Sequence, residues 1–274
     1  KWDVSNVESM IGMFSDIVSI GIVAFVGTFE YNRSGSTSFN QDISKWDVSN
    51  VNNMEEMFSG ATSFNQPLGN WNVSKVESNR GMFSGATSFN QDISKWDVSN
   101  ITDMSKMFSG AISFNQPLGN WDVSNVKNMS EMFLGATSFN QDLNGWNMSS
   151  LTRLEGMFYG ATLFNSPIGK WNMKSLTSME NMFREATAFN QDISSWDVNN
   201  VIQMKGMFQD ATSFNQDLTN WTLNEKLPKS RSMFQGASAF DNKQFNPFLN
   251  KKAKKREVDT STANLSTEDK KTIS

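Results

Sequence analysis

The chain of 274 residues has no cysteine and no histidine, and it has two tyrosines and five prolines. Without cysteine there is no disulfide framework and no thiolate metal site, and the redox compartment stays open. Without histidine, imidazole acid-base catalysis, His-activated serine nucleophiles and the common zinc sites are excluded. Charge is scarce as well, with Asp, Glu, Lys and Arg making up 19% of residues at a net charge of -4. That balance, with a pI near 5.0, argues against a general binder of nucleic acid or anionic membranes. The longest apolar run, Ile17 to Phe29, is 13 residues, too short to cross a bilayer comfortably. No transmembrane segment is therefore expected.

What the chain does have is one unit repeated. Tryptophan falls at Trp46, Trp71, Trp96, Trp121, Trp146, Trp171, Trp196 and Trp221, each 25 residues after the last, with Trp2 out of phase. A fixed period of this length marks a solenoid, in which each coil needs its neighbours to bury its apolar residues. A longer period of 50 is superimposed: SFNQDISKWDVSN occurs at 38 to 50 and 88 to 100, and SFNQPLGNW at 63 to 71 and 113 to 121. Low charge and abundant amides suit such a stack, because equivalent side chains of successive coils lie close together and a charged column would repel itself.

Within the coil from 38 to 62, Trp46 and Val48 alternate with Lys45, Asp47 and Ser49, the period of two of a short strand with one buried face. Val51, Met54, Met57, Phe58 and Ala61 then follow at steps of three or four, the spacing of a short helical segment. Gly60 stands where helices commonly end, and Phe64 turns back into the core. The expected fold class is an α/β repeat solenoid with one short strand and one short helical segment per 25-residue coil. An asparagine follows the recurring Phe from Asn40 to Asn215, and an inward ladder of these amides can satisfy turn groups of its own coil and the next.

The string WDVSNVNNMEEMFSGATSFNQDIS resembles the short Met-Phe repeats of BspA-like leucine-rich repeat surface proteins, including related repeats of mycoplasma lipoproteins. The motifs W-D-V-S-N-V, M-F-x-G-A and S-F-N-Q recur together over roughly residues 1 to 245. The resemblance implies a leucine-rich-repeat-like solenoid, display at a cell surface or outside the cell, and binding to a protein or glycan on another cell or matrix. It carries no defined site.

The domain expectation is a solenoid over 1–248, interrupted at about 16–36 and closed by a cap at about 234–248, followed by a disordered polar tail at 249–274. The interruption supplies 19 extra residues, read as an inserted loop or hairpin, a sequence error or a membrane-active element. Beginning at Lys1 inside a repeat, the chain is expected to be part of a longer or processed product. In the tail, Lys251, Lys252, Lys254, Lys255 and Arg256 form a basic cluster, read as a solvated end or an anionic-surface patch. One coil carries Asn79 where the others have Met or Leu, and a polar group there must find a partner or turn outward.

If Trp46 and Val48 face inward, Asp47 faces solvent, and so do its equivalents Asn72, Asp97, Asp122, Asn147, Asn172 and Asp197. These seven are the candidate binding residues, on a polar face that takes a protein or glycan by many weak hydrogen bonds. The other reading of the same face is a passive stalk, since small polar residues are what a solvent-facing sheet tolerates. Combined Ala substitution at Asp97, Asp122 and Asn147 is expected to abolish partner binding without altering thermal stability. No enzyme, cofactor, metal or nucleic-acid partner is implied.

Overall fold

The computed structural model describes residues 3–15, 37–228 and 232–248. The expected insertion at 16–36, the tail at 249–274 with its basic cluster, and Trp2 lie outside the described residues. The described coils stack as a repeat solenoid, each hydrogen-bonded to the next.

The α/β detail is corrected. None of the described residues is in an α-helix or an extended strand, and parallel pairing is reduced to single bridges, Ser9–Asn53–Ser78–Asp103–Asn128–Arg153 in series and Ser178–Gln203. The bridge column falls inside the stretch expected to be helical, and the Trp46–Val48 stretch has no ladder. The reason lies in the backbone of residues 54–61. Met57, Ser59 and Ala61 donate N–H bonds to the carbonyls three residues back, while Met54, Glu56, Phe58 and Gly60 donate to Ser78, Arg80, Met82 and Ser84 of the next coil. Alternate amides thus close tight turns and bind the neighbouring coil, which an α-helix, with all its amides directed along its own axis, cannot do. Positive φ makes the alternation possible. Glu56 (54°), Lys106 (59°), Glu131 (57°) and Asn181 (55°) are left-handed at a position that Gly81, Gly156 and Gly206 fill in other coils. A left-handed residue every few positions forbids a right-handed helix.

The apolar spacing of three and four survives because successive turns, like a helix, return the chain to one side. Met54, Met57, Phe58, Ala61 and Phe64 and their equivalents through Phe214 are fully buried. Two phenylalanine columns run through the core. Phe58 to Phe234 stack at 5.5–5.8 Å between coils, Phe64 to Phe240 at 5.7–6.2 Å, and the two columns touch at about 4 Å within each coil. Beside them, each indole from Trp71 to Trp221 donates Nε1–H to a carbonyl of the preceding coil at 2.8–3.2 Å, Trp121 to Ile93 for example. The tryptophan therefore contributes both burial and a satisfied polar edge.

The asparagine ladder is present, although its members are half-buried or exposed rather than inward. Each Oδ1 accepts the backbone N–H of the next Asn at 2.8–3.0 Å, from Asn40 through Asn215, which accepts from Asp241. The following Gln donates to the same oxygen, as Gln141 does to Asn115 at 2.9 Å. Asn115→Ala removes two such acceptances from the middle of the stack, and the expected loss is about 1–3 kcal/mol in urea denaturation; a loss under about 0.3 kcal/mol would show the ladder to be energetically idle.

Asn79 neither finds a partner nor turns outward. It is 1% exposed, and neither its Oδ1 nor its Nδ2 has a hydrogen-bond partner.

The 50-residue period has a local cause. In one class of coil an aspartate accepts from the amide two residues on, as Asp42 does from Ser44 and Asp92 from Ser94. In the other class Pro67, Pro117 and Pro167 replace it, one residue before the tight turn in which Trp71, Trp121 and Trp171 donate their N–H to Leu68, Leu118 and Ile168. There Gly69, Gly119 and Gly169 follow, where an added Cβ would lie 2.7–2.8 Å from the carbonyl oxygen of Asp92, Asp142 or Asp192 in the next coil.

Candidate functional site

All seven predicted residues, Asp47, Asn72, Asp97, Asp122, Asn147, Asn172 and Asp197, are exposed, one per coil, between a buried or partly buried Trp and a buried Val or Met. The parallel bridging of successive coils sets equivalent residues roughly 4.8 Å apart, so the seven form a ridge. Each also has a local task. Oδ1 of every one accepts the backbone N–H two residues on, from Ser49, Ser74, Ser99, Ser124, Ser149, Lys174 and Asn199, at 3.0–3.2 Å. The ridge is a column of Asx turns. It is consequently rigid, and Ala at these positions would remove a turn acceptor, so the expectation that Ala is thermally silent does not hold.

The turns of Asp47 and Asp122, and the like turns of Asp42, Asp92, Asp192 and Asp217 outside the ridge, make those carboxyls stronger acids. The hydroxyl and backbone amide of Ser49 hold Asp47 below its ordinary value of 3.8, Ser124 does the same to Asp122, and Ser44, Ser94 and Thr219 to Asp42, Asp92 and Asp217. For Asp192 the amide of Ser194 leads and its hydroxyl follows. A carboxylate with a depressed folded value stabilises the fold above its unfolded pKa, and that contribution disappears as pH falls through the folded value. Thermal midpoints are therefore expected to be flat from about pH 8 to 5 and to drop below about pH 4. A midpoint that rises on acidification would contradict this sign.

Sequence reasoning missed a second surface. A groove of about 800 Å³ runs across four successive coils and is lined by Asn6, Glu8, Asn50, Asn52, Lys75, Glu77, Asn100 and Thr102. These positions lie just after the Asx turns. The signal was present in the sequence as polar residues between buried Val48, Val51 and Met54, but it sat in the stretch assigned to a helix.

Four overlapping matches to the family described as "Mycoplasma protein of unknown function, DUF285" cover residues 1–80, 22–101, 69–165 and 142–248. The chain belongs to this family. Several matches on one DUF285 chain agree with a repeated architecture. No curated protein matches it. Among solved structures, one similar chain is that of the "Crystal structure of TLR13-ssRNA13 complex", at 10% identity and a TM-score of 0.20, over 71% of this chain and 36% of that one. This DUF285 chain thus spans about a third of the length of that neighbour, and a likeness so slight carries no argument about fold or ligand.

Among the described residues no helix is long and apolar enough to cross a membrane. No group of three or more acidic side chains among them is placed to hold a metal ion. The ion pairs Arg80–Glu56 (3.9 Å), Lys106–Glu131 (3.4 Å) and Arg184–Glu185 (3.3 Å) involve partly or well exposed side chains and contribute little to stability.

Proposed function

We propose that this chain is a non-enzymatic repeat protein of the BspA type, displayed at a cell surface, that mediates adhesion by binding a protein or glycan through its Asp/Asn ridge. The observation that supports this reading is the ridge itself: seven exposed acids and amides in register, each with one oxygen used to fix its turn. A rigid array of this kind loses little conformational freedom on binding and repeats the same weak contact along its length. The second reading, a passive spacer, is favoured by the same turns, since they explain the Asp and Asn column without any ligand.

The two readings separate on variants that keep the turns. Asp97→Asn, Asp122→Asn and Asn147→Ser in combination retain an acceptor in every turn while changing what the ridge offers a partner. The expected result is an unchanged melting temperature and at least about a tenfold loss of binding to other cells or matrix by the repeat protein. Binding unaffected by the three changes, or a folded wild type that binds neither cells nor matrix, would leave the spacer reading.

A further inference from the structure

The edge of each coil that carries the bridge column is joined to its neighbour by two backbone bonds, one in each direction. From the Ser9–Asn53 joint to the Ser178–Gln203 joint, all but one of the described joints have both bonds at 2.8–3.3 Å, as in Met129 N–H to Arg153 O and Thr152 N–H to Lys127 O. Between Arg153 and Ser178 neither forms. The amides of Leu154 and Thr177 have no acceptor among the described residues, and the bridge series breaks there. The side-chain latch on this edge is weaker as well. Asn100, Asn125 and Asn200 donate to a carbonyl of the preceding coil at 2.7–2.8 Å, whereas Ser175 Oγ reaches Ser149 O at 3.4 Å.

Arg153 accounts for the gap. At Asn53, Ser78, Asp103, Asn128 and Ser178, each of which leads an intact joint, a short side chain accepts the backbone N–H two residues on at 2.8–3.5 Å and so fixes the turn. A guanidinium has only donors, so the turn after Arg153 lacks that acceptor. The Arg153 amide itself points back and shares Lys127 O with Thr152, at 3.1 and 2.9 Å.

The opposite edge of the same two coils is fully bonded. Gly156, Phe158 and Gly160 donate to Glu180, Met182 and Arg184 at 2.8–2.9 Å, and Asn190 N–H donates to Asn165 Oδ1 at 2.8 Å. Arg184 also lies 5.1 Å over the Tyr159 ring, and the Tyr159 hydroxyl donates to Glu185 at 3.3 Å. Stability in a solenoid is close to a sum of coil and nearest-neighbour contributions, and local opening concentrates where those contributions are smallest. We propose that this joint is a one-sided hinge, at which the solenoid bends by opening along Arg153–Ser178 while the Tyr159 edge stays bonded as the pivot. It crosses the ridge between Asn147 and Asn172, so each ridge residue stays fixed in its own Asx turn while the angle between the two ridge segments changes. The inference does not depend on what the ridge binds.

Because the chain has no cysteine, paired spin labels on the full chain test it. Asn70→Cys/Lys170→Cys spans four coils, about 19 Å, across the joint, and Lys45→Cys/Gly145→Cys spans four coils that do not include it. Gly145 has room for a side chain, since a Cβ there meets Gly119 O at 3.7 Å. The distance distribution is expected to be at least about 1.5-fold broader for the pair across the joint. Adding Arg153→Asn and Ser175→Asn restores the turn acceptor and the latch. That repair should narrow the distribution to the width of the control pair and slow hydrogen exchange at the Leu154 and Thr177 amides by at least about tenfold, with a thermal melt to check the fold. Equal widths for the two pairs in the unrepaired chain, or a folded repaired chain as broad as the unrepaired one, would overturn the hinge.

Discussion

Phe133→Ala is expected to lower the stability of the solenoid by about 3–5 kcal/mol, measured by urea denaturation followed through tryptophan fluorescence. The ring is fully buried and lies 3.9 Å from Phe139 in its own coil and 5.6 and 5.7 Å from Phe108 and Phe158 in the neighbouring coils. Its removal breaks one column and leaves the second column unsupported on one side. In a globular core, other elements can close on such a gap. In a stack, each coil is held at a fixed spacing by its backbone bonds to the next, here Phe108 N–H to Met132 O and Phe133 N–H to Met157 O, both at 2.9 Å. Collapse is therefore restricted, which puts the cost at the upper part of the usual range for aromatic truncation. Ile112→Thr is the control: Ile112 is 46% exposed in a column of threonines, and its replacement should change stability by less than about 0.5 kcal/mol. A Phe133→Ala loss of under about 1.5 kcal/mol would mean that the coils slide or re-pack, and that the continuous columns do not hold the stack together.

Asn79→Met should act in the opposite direction, raising stability by about 2–4 kcal/mol in the same measurement. Two contributions add. The buried amide has lost its hydration and has no hydrogen-bond partner, a condition that costs about 1–3 kcal/mol. Methionine also restores apolar burial at a position where Met54 and Met104, one coil to either side, are 1% and 0% exposed. The backbone bonds of Asn79, from its N–H to Asp103 O and from Met82 N–H to its own carbonyl, do not involve the side chain and should persist. A variant no more stable than wild type would show that the amide is satisfied by water, since a Met-to-Asn exchange leaves room for about one molecule.

Much of the core was legible before any coordinates. The recurrence of Trp, Met and Phe identifies columns, because a side chain that size returning every 25 residues has nowhere to go but between coils. The inward–outward alternation around Asp47 was equally readable, because it depends on one residue and its two neighbours. The backbone was not. Steps of three and four are shared by an α-helix and by a succession of tight turns, and hydrophobic spacing cannot tell them apart. The distinction lay in which residues adopt positive φ, and Glu56, Lys106 and Glu131 carry no sign of it. The glycines that do, Gly12, Gly81, Gly156 and Gly206, occur in only half of the described coils with positive φ at the position.

The sequence by itself determined that this protein is a stack of 25-residue coils, which residues line its interior, and that Asp and Asn stand outside at every turn. All of these follow from local identity and period. Only the tertiary structure decided that the coil is built from turns, that the ridge aspartates are bound to their own backbone, that Asn79 is stranded, and that residues of columns 50 and 52 line one groove. Each of these depends on where an amide or a carbonyl points relative to the next coil. That direction is set by contacts between residues about 25 positions apart, which a single repeat does not contain.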